Sequence, residues 1–98
     1  MPTYAVTYRY QPDSDEARTE HRAAHVEFLR GLHEDGRLYM SGPLDASEPG
    51  ALLVFEDADA ATLAARLDAD PFHAHGLIAQ RDVAMWRVFF DPRESGQQ

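Results

Sequence analysis

EHRAAHVEFLRGL, residues 20–32, is the stretch from which the fold can be worked out. At about 100° per residue, one face of a helix through it carries three large apolar side chains and two histidines. These residues are Phe28, Leu29, Leu32, His21 and His25. The pattern predicts an amphipathic helix over about residues 15–35 that ends at Gly36. It also aims two imidazoles towards the layer that the helix must bury.

Strand patterns lie on both sides of this helix. Alternating side chains, short apolar runs and β-branched or aromatic residues are typical of strands. A second helix, rich in alanine, is predicted before the last strand, with Asp57 or Asp59 as its cap. Gly42-Pro43 should end or bend the second strand, because proline cannot donate a ladder hydrogen bond. The predicted strands cover residues 3–10, 37–41, 51–55 and 83–90.

The predicted order is β-α-β-β-α-β, the ferredoxin-like pattern of the α+β class, with an antiparallel sheet and two helices on one face. We expect one domain over residues 1–92 and a flexible polar tail over residues 93–98. A chain of 98 residues has a marginal core, and the second sheet face is apolar with no helix to cover it. Both features predict a homodimer.

The composition limits the classes of partner and of catalytic chemistry that this chain can have. Seventeen acidic and nine basic residues give a formal charge of −8, which argues against nucleic acid or an anionic membrane as partner. The chain has no cysteine and no lysine, so thiolate and lysine Schiff-base chemistry are excluded. No secretory signal or spanning segment is visible, and we expect a cytoplasmic protein that binds a small molecule.

His25 and Asp70 each have a structural and a functional interpretation. His25 is either a half-buried, hydrogen-bonded core residue or a general acid–base group, since imidazole titrates near working pH. Asp70 precedes Pro71 and is either the N-cap of a short helical turn or a carboxylate that orients a histidine. The two roles of Asp70 can coexist only if one oxygen caps while the other is free.

The sequence predicts no metal and no cofactor. His21 and His25 have the i, i+4 spacing of a chelating pair, but Arg22 stands where zinc proteases carry glutamate, and its charge opposes a nearby cation. The chain lacks GxGxxG, Walker and GxSxG motifs, so nucleotide binding and a serine nucleophile have no support.

Three short motifs, taken in order, resemble the YciI-like (YCII-related) family. They are RAAH at residues 22–25, GRLYMSGP at residues 36–43 and DPFxxxGL at residues 70–77. The resemblance implies a dimeric α+β barrel, the superfamily that includes muconolactone isomerases and small monooxygenases. It also implies a pocket with a His–Asp dyad, which falls on His25 and Asp70. Because His21 lies one helical turn before His25, we expect it at the mouth of this cleft. The other expected pocket residues are Arg22, Ser41, Gly42, Pro43 and Phe72.

The sequence is compatible with three functional hypotheses. The first is an acid–base enzyme for elimination, isomerisation or dehalogenation of a small organic substrate, because one family type removes chloride from a chlorinated hydroxyquinone. The second is a non-catalytic domain that binds or senses a small ligand in the same cleft. The third is a monooxygenase-like or haem-binding relative.

Overall fold

The structure is a four-stranded antiparallel sheet with its helices on one face, in the predicted ferredoxin-like order. It is a computed structural model, and it describes residues 1–94. The predicted tail therefore lies outside the described residues from residue 95 onward. In space the strands run in the order β2-β3-β1-β4. The elements are β1 (Thr3–Tyr10), α1 (Asp15–Glu34), β2 (Leu38–Leu44), β3 (Gly50–Glu56), α2 (Ala60–Leu67), α3 (Pro71–Ala74), β4 (Ile78–Met85) and a 3₁₀ turn (Pro92–Glu94).

The core lies between the sheet and the helices. Alternation in β1 turns one set of its side chains towards the helices, and the partner side chains of β3 lie directly opposite them. Leu32 of α1 joins this cluster from above the sheet. Leu63 and Leu67, one turn apart on α2, complete it. The strand residues in the core are Tyr4, Val6, Tyr8, Leu38, Ala51, Leu53 and Phe55.

The opposite face of the sheet is apolar where β2 and β3 meet. Register places Met40 beside Val54 and Gly42 beside Leu52 on this outer face. Met40 is 59% exposed and Leu44 is also exposed. Within residues 1–94, none of the helices has the length and apolar character needed to cross a bilayer.

The last strand is earlier in the chain than residues 83–90, where the sequence pattern placed it. β4 covers Ile78–Met85 because it pairs with β1 from Tyr10 back to Tyr4. Pairing ends at Trp86, whose backbone N–H donates to the carbonyl of Thr3. The aromatic residues Phe89 and Phe90 lie beyond that end and are exposed. The extent of the partner strand β1, rather than the β propensity of the residues, sets the bounds of β4.

The second strand continues through Gly42-Pro43 to Leu44, three residues further than predicted. β2 lies at the edge of the sheet and pairs only with β3. A proline is tolerated on an edge strand because its missing N–H faces away from the ladder.

The two aspartates before α2 take different roles. Asp59 is the N-cap, and its side chain accepts from the backbone N–H of Thr62 at 2.7 Å. Asp57 is 1% exposed and accepts from Arg66 Nε at 2.9 Å, Arg37 Nη1 at 3.4 Å and the N–H of Ala58 at 2.8 Å. Burial opposes ionisation of Asp57, but the hydrogen bonds from Arg66 and Ala58 and the two arginine charges hold its pKa below the usual value.

We expect Asp57→Asn to lower the free energy of unfolding at pH 7 by about 1–3 kcal/mol, because it weakens a buried charge-assisted network. The pKa of Asp57 is depressed in the folded state, so its contribution is present above the unfolded pKa and is lost as pH falls through the folded one. The difference from wild type should therefore shrink below about pH 4. Urea unfolding between pH 3 and 7 measures this, with exposed Asp45→Asn as control. A constant difference across that range would contradict the assignment.

Candidate active site

His25 is the one histidine of α1 that is buried, at 8% exposure. Its position on the apolar face of α1 directs the ring towards the sheet and α3. The ring lies flat against Phe72, with centroids 3.9 Å apart and planes 2° apart. Phe72 meets Tyr10 edge-on at 5.7 Å, so the imidazole plane is fixed by packing.

Asp70 is fully buried, at 0% exposure, and is held at the N-terminus of α3. Its Oδ1 accepts from His25 Nδ1 at 2.8 Å and from the backbone N–H of Phe72 at 2.9 Å. Its Oδ2 accepts from the Tyr8 hydroxyl at 3.1 Å. One oxygen therefore serves both the cap and the histidine, and the other is not free but bound to Tyr8. The sequence reasoning required one free oxygen for the two interpretations to coexist, and the structure shows both oxygens engaged.

The contact with Asp70 bears on which nitrogen of His25 is available. An ionised carboxylate can only accept hydrogen bonds, so with Asp70 ionised Nδ1 of His25 is the donor, and a neutral ring then carries its lone pair on Nε2. Tyr8 must also donate to Asp70. Burial, followed by the charge of Asp70 and the hydrogen bond to it, raises the pKa of Tyr8 far above the usual value. The hydroxyl therefore stays protonated and remains a donor.

His25 lines a cleft of about 410 Å³ between α1 and the sheet. Its walls are mostly apolar, with Arg18 and Arg22 among the polar exceptions. A small organic molecule fits a site of this size and character. The lining residues are Tyr8, Tyr10, Arg18, Arg22, His25, Val26, Leu29, Ser41, Gly42, Pro43, Ala51, Leu53 and Phe72.

Five of the six expected pocket residues lie in this lining, and His21 does not. The ring of His21 stacks on His75 at the end of α3, with centroids 3.8 Å apart. It is one helical turn before His25 and stacks on α3, and its expected place at the mouth of the cleft stays a prediction. Among the side chains of residues 1–93, no three histidines, aspartates or glutamates gather as a metal site.

Three polar lining residues were missed from the sequence. Tyr8 and Tyr10 share one strand face with Tyr4 and Val6, and the alternation did not separate cleft-lining residues from packing residues on that face. Arg18 carried a usable signal, because it lies four residues before Arg22 and seven before His25, on one face of α1.

Comparison with known proteins identifies related chains. A model of the YCII-related domain matches residues 2–87. Protein YciI of Escherichia coli O6:H1 (strain CFT073) and Protein YciI of Shigella flexneri are each 34% identical over 98 residues, which covers 89% of this chain and 98% of theirs.

Solved structures share the fold. One is 5-chloro-2-hydroxyhydroquinone dehydrochlorinase (TftG) from Burkholderia phenoliruptrix AC1100 in complex with 2,5-dihydroxybenzoquinone. It has a TM-score of 0.77 at 22% identity, over 87% of this chain and 93% of that one. Protein Atu4242 from Agrobacterium tumefaciens has a TM-score of 0.58 at 19% identity, over 94% and 98% of the two chains.

We expect Tyr8→Phe to destabilise the protein by about 1–3 kcal/mol at pH 7, because Oδ2 of buried Asp70 loses its donor. The raised pKa of Tyr8 means that the folded state holds its proton more tightly than the unfolded state. Wild-type stability should therefore fall as pH rises past about 10. The stability of Tyr8→Phe should fall less steeply over the same pH range. Unfolding measured from pH 7 to 11 decides this, and equal alkaline slopes would contradict the assignment.

Proposed function

The chain belongs to the YCII-related domain family, and we propose that it is an acid–base enzyme for a small organic substrate. The observation that carries the proposal is the buried contact of 2.8 Å between His25 Nδ1 and Asp70 Oδ1. It leaves Nε2 of a cleft-lining imidazole as the base. The reaction class is elimination, isomerisation or dehalogenation.

In the proposed reaction His25 transfers the proton, and Asp70, Tyr8 and the Phe72 N–H support it. Nε2 of His25 takes a proton from the substrate, and the electron pair of that bond moves into the substrate framework. In a dehydrochlorination, the same electron flow expels chloride, so the net loss is HCl. Asp70 stabilises the imidazolium that forms and keeps the ring in its tautomer. Tyr8 and the Phe72 N–H hold Asp70 in place, which makes them positioning groups.

The fold relative that acts on a chlorinated hydroxyquinone supplies the first test substrate. TftG is by its name a 5-chloro-2-hydroxyhydroquinone dehydrochlorinase and was solved with 2,5-dihydroxybenzoquinone. A planar ring of that kind matches the apolar walls of the cleft in this chain. The similarity of the two proteins is one of fold, and the substrate is carried over as part of the proposal.

We expect the wild-type protein to release chloride from 5-chloro-2-hydroxyhydroquinone, and His25→Gln to reduce the rate by about 10²–10⁴-fold. Asp70→Asn should also reduce it while keeping the helix cap, since asparagine caps as well as aspartate. His33→Gln is the matched control, because His33 bonds the Leu38 carbonyl outside this cleft. Chloride release is followed with an ion-selective electrode.

The contrary results separate the two main hypotheses. Full activity of His25→Gln would exclude the dyad as the catalytic centre. Binding of 2,5-dihydroxybenzoquinone without turnover of the chlorinated substrate would favour the ligand-binding or sensor domain instead.

We also propose that the chain forms a homodimer through the outer face of the sheet. Exposed Met40 and Leu44 flank Leu52 and Val54 there, and burying them against a second copy removes apolar surface from water.

Light scattering should therefore give twice the chain mass of 11.0 kDa. Met40→Lys should shift the protein to monomer, because it places a charge in the proposed interface. Met85→Lys should not, although Met85 is 60% exposed and Met40 59%, because register puts Met85 on the helix-bearing side. A monomeric wild type, or equal behaviour of the two variants, would refute the interface.

A further inference from the structure

The charge of the cleft is opposite to the charge of the chain. The protein carries seventeen acidic and nine basic residues, yet the cleft lining contains Arg18, Arg22 and His25 and no aspartate or glutamate. Asp70 lies behind His25, fully buried and engaged by three donors. The cleft is therefore a local site for negative charge on a protein whose overall field repels anions.

Two arginines line this cleft, and they differ in how their charge is engaged. Arg18 donates to Ser14 Oγ at 3.0 Å and pairs with Asp15. Its guanidinium also lies over the Tyr10 ring, 4.5 Å from the centroid. The Arg22 side chain has no hydrogen-bond or ion-pair partner among the side chains and backbone of residues 1–93, and the same is true of the Arg87 side chain.

We propose that Arg22 binds an acidic group of the ligand, an ionised ring hydroxyl or a carboxylate, while the apolar walls hold its ring. This rests on the proposed function in that it concerns the same cleft. Residues three apart on a helix are surface neighbours, so an anion held by Arg22 lies beside the imidazole of His25. Arginine suits this role because its planar fork matches two oxygens and it stays charged.

The position of Arg22 also suits the electron flow of the proposed reaction. Removal of a proton by His25 leaves negative charge on the substrate, and an adjacent guanidinium stabilises an oxyanion as it forms. Arg22 exchanges no proton in this scheme. The substrate class that follows is a small planar acid, such as a hydroxyquinone or an aromatic carboxylic acid.

Binding of matched probes by calorimetry tests the proposal without any turnover. 2,5-Dihydroxybenzoquinone has acidic hydroxyls that ionise in neutral buffer, and 2,5-dimethoxybenzoquinone is its neutral counterpart. Benzoate and benzamide form a second pair with a carboxylate. The proteins are wild type, Arg22→Gln, Arg22→Lys and Arg87→Gln, the last being an equal loss of charge at an exposed arginine outside the cleft lining.

We expect wild type to bind at least one anion more tightly than its neutral counterpart. Arg22→Gln should lower the affinity for that anion by about tenfold or more and leave the affinity for the neutral probe unchanged. Arg22→Lys should retain part of the preference, and Arg87→Gln should match wild type. His25→Gln should keep the preference, so a protein that fails as an enzyme can still show the anion site.

Three results would overturn the proposal. The first is wild type that binds neither anion at millimolar concentration. The second is equal binding of anion and neutral probe within both pairs. The third is an anion affinity that Arg22→Gln and Arg87→Gln lower by the same factor, since the effect would then be one of net charge. Thermal unfolding of each variant checks that Arg22→Gln remains folded.

Discussion

The carboxylate of Asp70 is buried away from solvent, and the site is organised around satisfying it. Moving an ionised carboxylate out of water costs several kcal/mol unless donors replace the lost hydration. Three donors do so, and they come from three different elements: His25 on α1, the Tyr8 hydroxyl on β1 and the Phe72 N–H in α3. The same contacts that make the burial tolerable join these elements and fix the histidine. Stability and the proposed chemistry therefore depend on one group.

The ferredoxin-like arrangement explains why these donors can meet. β1 is a central strand between β3 and β4, so its Tyr8 side chain rises from the middle of the sheet under the helices. α1 crosses above it, and the Asp-Pro step that starts α3 brings a carboxylate to the same height. On the side of β2, the residues Ser41, Gly42 and Pro43 form a wall of the cleft. An imidazole that contacts a buried carboxylate and lines a mostly apolar cleft is the arrangement on which the proposed proton transfer rests.

Local features were predictable from the sequence, and features set by tertiary partners were not. The periodicity of α1, its end at Gly36 with φ of 79° and the Asp70-Pro71 cap follow from neighbouring residues alone. The ends of β4 and the continuation of β2 through Pro43 depend on which strand pairs with each of them. The sequence pattern of each strand alone therefore predicted the wrong bounds for both. The 45-residue separation of His25 and Asp70 was bridged only by family resemblance. Tyr8 was indistinguishable from a core tyrosine, because a buried hydroxyl reveals its partner only in three dimensions.

The central claim is that Asp70 holds His25 as the tautomer with the proton on Nδ1 and the lone pair on Nε2. Two-dimensional ¹H–¹⁵N spectra of the imidazole rings, with Asp70→Asn for comparison, measure this directly at a pH where the ring is neutral. We expect His25 to show a protonated Nδ1 and an unprotonated Nε2 in wild type, and this preference to weaken in Asp70→Asn. A wild-type His25 with its proton on Nε2, or one that averages between the two tautomers as a solvated histidine does, would contradict it.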